Sequence, residues 1–162
     1  MRRRLKGINR ALTPDSGAAF SRCRRWRYLL WRRWDARRPA ANFLMLNPST
    51  ADEVSLDPSC TRARSYAERW GFGAVLITNL FAWRATDPEE MKRTRDPVGR
   101  GNDAAILRAS REAGVVVCAW GNHGAHLGRA AKVVARAGGR RACTVPDCCK
   151  IHVIRVITAR QA

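Results

Sequence analysis

The chain has 162 residues, 46% of them apolar, and carries 31 Lys and Arg against 13 Asp and Glu, a formal net charge of +18. That length and apolar content suffice for one domain with a core, and no run approaches the roughly 18 apolar residues that would span a bilayer. All but four of the basic residues are arginine; such a field attracts polyanions, so DNA, RNA or a nucleotide is an expected partner, although arginine excess also follows from GC-rich coding that selects no partner.

Residues 1–17 are basic and aperiodic and read as a mobile arm, with the fold starting near Ala18. The opening "MRRRLKGINRAL" lacks the apolar core of a signal peptide, and the six cysteines (Cys23, Cys60, Cys118, Cys143, Cys148, Cys149) follow no secretory spacing, so reduced thiols in a cytoplasmic protein are expected. Next, "AAFSRCRRWRYLLWRRWD" offers a short strand, a turn, and Trp26, Tyr28 and Leu30 on alternate positions. This predicts a β-hairpin, with a helix as the competing reading. The unbroken run "ANFLMLN" predicts a strand covered on both faces. Asp57-Pro58 is a helix start, and "SCTRARSYAERWG" ends at Gly71, a natural C-cap.

"AVLITNLF" predicts the next strand, and "ATDPEEMKRTRDPVGRGND", with two Asp-Pro pairs, a long irregular loop. Asn102 to Ala113 reads as a helix, "GVVVCAWG" as a third apolar strand, and "NHGAHLGRAAKVVARAGG" as one helix stopped by paired glycines. Strand and helix alternate three times. The predicted fold class is therefore three-layer α/β/α with a central, mainly parallel sheet preceded by an N-terminal β-hairpin.

In such sheets ligands sit at the C-terminal ends of the strands. The three apolar strands end in Asn47-Pro48-Ser49-Thr50, Asn79-Leu80-Phe81 and Trp120-Gly121-Asn122-His123. These ends are expected to converge on one crevice. Pro48 holds Asn47 in extended geometry and so aims its carboxamide; Ser49, Thr50 and Asp52 can receive a ligand or simply cap a turn. His123 can bond a phosphate or a base or transfer a proton, the alternative being a plain surface residue. Asn122, Gly124 and the following helix N-terminus would make an anion site. Arg84 beside the crevice can clamp a phosphate or remain a solvated charge. Asp87 and Asp96, each before proline, read as turn residues.

Asn47 and His123 are thus the candidate catalytic residues; Pro48, Ser49, Thr50, Asp52, Asn79, Arg84, Trp120, Gly121 and Asn122 are the candidate substrate contacts. Adjacent Cys148 and Cys149 are poor chelating spacing, so Cys143, Cys148, Cys149 and His152 suggest no zinc site. Dinucleotide, P-loop and nucleophile-elbow motifs are missing, and no cofactor is expected.

The blocks "FSRCRRWRYLLWRRWD", "FLMLNPSTAD", "DPSCTRARSYAERWGFG", "TNLFAWRATDP", "DPVGRGND" and "AWGNHG" together resemble the domain of unknown function 1643 family over about residues 18–137. More distantly, "LNPS" and "AWGNHG" are similar to loops of uracil-DNA glycosylase-like proteins. That resemblance implies a glycosylase-like architecture in which Asn47 matches the Asn that positions the attacking water; the glycine expected before it is replaced by Met45-Leu46. The family's last block, a His-Pro-Leu-Tyr type segment, gives way to "CTVPDCCKIHVIRVITARQA". A frameshift near residues 138–149 is the expected cause, which leaves one domain over 18–142 and an atypical tail over 143–162. The functional expectation is a glycosylase-like protein acting on or binding nucleic acid or nucleotides. The alternatives are a non-catalytic binding module and an inactive truncated copy.

Overall fold

The computed structural model describes residues 15–137 in full and, beyond them, the backbone of 142–144 and 152–154. In chain order its elements are β1 (Ser16–Phe20), β2 (Arg27–Arg33), β3 (Ala40–Met45), α1 (Pro58–Arg69), β4 (Ala74–Asn79), α2 (Pro88–Arg93), α3 (Asn102–Glu112), β5 (Ala113–Ala119), a 3₁₀ segment (Asn122–Gly128), α4 (Arg129–Arg136), β6 (Ala142–Thr144) and β7 (His152–Ile154). The strands form one mixed sheet in the order β1-β2-β4-β3-β5-β7-β6. Residues 1–14, most of the expected arm, and most of the tail lie outside the described residues.

The expected mainly parallel sheet is corrected. Only β3 with β4 and β3 with β5 pair in parallel; β1 with β2, β2 with β4, β5 with β7 and β7 with β6 are antiparallel. The hairpin does not precede the sheet but completes it. β4 has one ladder edge left open by β3, and β2 fills it with Leu30 opposite Ile77 and Arg32 opposite Val75. A strand paired on both sides is shielded on both, so β2 buries Arg27, Leu30 and Arg32.

Local signals explain the helices. Asp57 caps α1 by accepting from the Cys60 N–H at 2.8 Å, and Gly71 beyond its end has φ +80°. The helix presents Cys60, Ala63 and Ala67 to a cluster with Ala41, Phe43, Ile77 and Val117. The alternate residues Leu44, Val116 and Cys118 pack with Ile106 of α3 and Val133 of α4 in a second cluster. Alternation along these largely apolar strands thus feeds separate clusters on the two faces of the sheet.

Two expectations between β4 and α4 change. The long loop contains a short helix, α2, because Asp87 accepts from the Glu89 N–H and Pro88 occupies the first turn. Asp96 closes the following turn by accepting from the Gly99 N–H at 2.9 Å, so both Asp-Pro pairs serve as caps. The predicted single helix after β5 is broken: Leu127 (φ 56°) and Gly128 (φ 62°) are both left-handed, and α4 starts only at Arg129. Left-handed backbone at two successive residues cannot carry a right-handed helix through.

Candidate functional site

The parallel register puts Met45 of β3 level with Asn79 of β4 and with Ala119 of β5, so the three strand exits share one edge of the sheet. The chain leaving β3 is tied down at once. Leu80 N–H and Phe81 N–H donate to the carbonyls of Met45 and Leu46, extending the parallel ladder past the strands. Asn47 Nδ2 donates to the Ala85 carbonyl at 2.7 Å and to the Pro48 carbonyl at 3.2 Å, and Ala85 N–H returns a bond to Pro48 O at 2.9 Å. The β3 exit loop and the β4 exit loop are therefore buttoned together by Asn47, whose Oδ1 has no hydrogen-bond partner among the described residues.

Two adjoining cavities open at this edge and share Met45, Asn47 and Ser59. One, of about 420 Å³, has aromatic walls: Phe43, Tyr66 and Trp120, with Arg62 at its side. The other, of about 400 Å³, is polar, bounded by Arg27, Ser49, Thr50, Asp57, Cys60 and Thr86. Both volumes lie in the range of about 300–1,000 Å³ usual for small-molecule sites.

The aromatic lobe is rigid on two sides. Trp70 stacks on Phe43 with ring centroids 5.9 Å apart and on Tyr66 at 5.4 Å. Trp120 is held by Gly124, where an added Cβ would lie 2.1 Å from the indole Cδ1; only glycine allows that approach. Gly121 lines the lobe beside Trp120.

Arg27 dominates the polar lobe. It is 1% exposed, its Nη1 donates to the Ala51 carbonyl at 2.8 Å, and its Nη2 reaches Asn79 Oδ1 at 3.4 Å. No carboxylate of the described residues lies within ion-pair distance of it. Its Nε and the Nδ2 of Asn79 are buried donors without an acceptor. Burial pulls the Arg27 pKa below the usual arginine value, with the Cys60 thiol and Asp57 acting against that drop. The same burial pushes the Cys60 thiol up to about 12, so at neutral pH it is a protonated wall and no nucleophile.

Of the residues singled out from the sequence, the structure brings Asn47, Trp120 and Gly121 together in the aromatic lobe, and Asn47, Ser49 and Thr50 in the polar one. Ser49 Oγ also bonds Thr86 Oγ1 at 3.2 Å. Pro48 is buried as an acceptor within the button. Asp52 closes its own turn, accepting from Val54 N–H and Ser55 N–H, and those bonds hold its carboxyl below the usual range. Asn79 is 1% exposed and lies under the site, against Arg27. Arg84 braces the loop from outside: its Nε is 3.4 Å from the Ser49 carbonyl and its guanidinium lies 5.1 Å from the Phe20 ring centroid. His123 does not line either lobe; its Nδ1 stands 3.9 Å from Glu89 Oε1 of α2, and the side chain is half exposed. Asn122 opens the kinked 3₁₀ segment and is exposed, likewise away from both lobes.

Sequence reading missed Arg27, Arg62, Tyr66 and Phe43. Ser59, Arg62, Ala63 and Tyr66 stand at i, i+3, i+4 and i+7 of α1, a stripe that could have been found by asking which helix face meets the β3 exit. Arg27 carries no such mark among the arginines around it. Among the described residues no group of three His, Cys, Asp or Glu is placed to hold a metal ion, and no helix is long and apolar enough to cross a membrane.

A search of curated proteins returned no match, and a search of solved structures returned none. A family model described as protein of unknown function (DUF1643) matches residues 27–151, running past the blocks that ended near residue 137 and into the unusual tail. Covering well over half of the chain, that match places the protein in the DUF1643 family.

Proposed function

We propose that this protein binds a nucleotide unit, free or carried in DNA or RNA, in the two-lobed crevice, with the sheet forming the middle of a three-layer, glycosylase-like arrangement. The observation that carries the reading is the junction of an aromatic-walled lobe with a polar, arginine-bearing lobe at Asn47. A planar base suits Phe43, Tyr66 and Trp120, because stacking on aromatic faces contributes about 1–3 kcal/mol per base and tolerates any base. The sugar then falls at Asn47. The net charge of +18 favours attraction of a polyanion to the protein.

The test is fluorescence anisotropy with labelled single- and double-stranded oligonucleotides and with free nucleotides. Affinity for the oligonucleotides should fall steeply with salt, since each phosphate contact releases counterions. Tyr66→Ala should cost about tenfold or more in affinity. Undetectable binding at low salt, or binding indifferent to Tyr66→Ala, refutes the reading.

A second reading, hydrolysis of an N-glycosidic bond, is favoured by the geometry of Asn47. Its Nδ2 is anchored while Oδ1 stays free to accept from a water, so a carboxamide could orient that water without adding negative charge. His123 stands outside both lobes, its Nδ1 3.9 Å from Glu89 Oε1, and this reading gives it no role. Release of free base from deaminated or mismatched duplexes, lowered roughly a hundredfold by Asn47→Ala, would establish catalysis. Binding with no base released leaves the binding module.

A further inference from the structure

From Arg27 and the α1 N-terminus we infer that the polar lobe is a phosphate subsite, so that the ligand is a phosphorylated nucleotide rather than a nucleoside. The inference rests on the nucleotide reading of the same crevice and adds the group that the second lobe takes.

A guanidinium that is 1% exposed normally meets a carboxylate, because a buried charge without a counter-charge is costly. Arg32, the other buried arginine of β2, donates to the carbonyls of Trp31 and Asp52 and is used up in holding the loop. Arg27 also braces that loop through Ala51, yet its buried Nε has no acceptor, and the side chain backs the wall of an open cavity. Behind the lobe wall the guanidinium is thus one acceptor short, with Asp57 the carboxylate that acts on its charge, and an anion in the lobe would add to that compensation across the wall.

The rest of the wall fits a phosphoryl group. The 12-residue helix α1 points its N-terminus here, contributing partial positive charge and the Ser59 N–H, since Pro58 has no N–H and those of Cys60 and Thr61 are taken by Asp57. Ser49, Thr50 and Ser59 offer hydroxyls that donate to a phosphoryl oxygen. Asp57 is the one carboxylate on the wall, and it is engaged in capping the Cys60 N–H. Arg84 from outside and Arg62 from the neighbouring lobe tip the local balance to positive.

The experiment is calorimetric titration, at constant ionic strength in chloride, of the full chain with inorganic phosphate, with a nucleoside and with its 5′-monophosphate. The monophosphate is expected to bind at least about tenfold tighter than the nucleoside, the scale of one charge-assisted hydrogen bond. Ser49→Ala with Ser59→Ala should remove most of that advantage, whereas Arg22→Ala with Arg37→Ala, on exposed arginines, should leave it. Arg27→Lys, which keeps the charge and loses the fork, should weaken the monophosphate about tenfold as well; if that variant does not fold, the serine pair decides. A nucleoside that binds as tightly as its monophosphate overturns the phosphate subsite and leaves the base reading standing. Inorganic phosphate bound at the lobe with no affinity for either nucleoside or monophosphate keeps the subsite and overturns the nucleotide reading. Phosphate binding that persists in the serine variant and disappears in the surface-arginine variant assigns the anion to the exterior and overturns the proposal.

Discussion

Replacing Asn47 by alanine separates its structural role from its role toward a ligand. The side chain donates twice, to Ala85 O at 2.7 Å and to Pro48 O at 3.2 Å, in a half-buried setting where water does not fully replace it. A neutral hydrogen bond of this kind contributes about 1 kcal/mol net, and a carbonyl left short of a partner adds to the loss. Pro48 O keeps the bond from Ala85 N–H, so the larger share falls on the Ala85 carbonyl. The expected destabilisation is about 2 kcal/mol, which for a chain of this length lowers Tm by about 4–8 °C. The fold survives, because none of the core clusters includes Asn47.

Asn47→Asp sharpens the test. At neutral pH the introduced carboxylate faces two carbonyl oxygens, which raises its pKa in the folded state. The penalty is then present above that raised value and absent below the ordinary carboxylate range, near pH 4, where the protonated group can donate again. Thermal unfolding from pH 3.5 to 7.5 should show the aspartate variant less stable than the alanine variant at pH 7 and recovering on acidification. An alanine variant within about 1 °C of wild type, or an aspartate variant without pH dependence, refutes the anchored carboxamide and with it the claim that Oδ1 is the end left for a ligand.

Asn102 is fully buried and donates through Nδ2 to the carbonyls of Asn79 and Leu80 at 2.9 and 3.1 Å; Asn102→Ala should cost about 2–3 kcal/mol by chemical denaturation, and a loss under 1 kcal/mol would show that the β4 exit does not depend on it. Asp103 pairs with buried Arg129 and with Arg136. Asp103→Ala should cost about 2–4 kcal/mol, under the full cost of stranding a buried charge because Arg129 keeps the Leu80 carbonyl; equal stability of the variant would deny the network any role. Gly124→Ala pushes a methyl into the Trp120 indole, so the Trp120 fluorescence should shift and nucleotide affinity fall together, and unchanged affinity would detach Trp120 from the site. Cys23 is exposed, its pKa lowered chiefly by the Ser21 hydroxyl, whereas burial pushes Cys60 and Cys118 up to about 12. Alkylation at pH 7.5 followed by peptide mapping should therefore label Cys23 well before the other two, and comparable rates at Cys60 would contradict its burial as a protonated thiol.

What was legible beforehand is what neighbouring residues decide among themselves. Asp57-Pro58 and Gly71 bound α1 because a cap and a left-handed stop act within a turn. The runs around Phe43, Ile77 and Val117 announce strands covered on both faces because apolar residues have few other places to go. Ending those strands in Asn47, Asn79 and Trp120 marked the edge, and the register of β3 with its neighbours sets the three exits level. The tertiary structure decided the rest. Whether β2 joined β4, and in which direction, depended on the ladder edge of β4 that its pairing with β3 leaves open. Arg27 is chemically the same as Arg24 or Arg25 near it; its guanidinium is held by Ala51 and Asn79, 24 and 52 residues away. His123 looked like a partner of Asn47 by strand order, but the left-handed Leu127-Gly128 kink and a contact with Glu89 accompany its place away from the lobes. Local propensity acts over a turn or a strand, whereas the protonation, pairing and reach of a side chain are set by groups that only folding brings within a few ångströms.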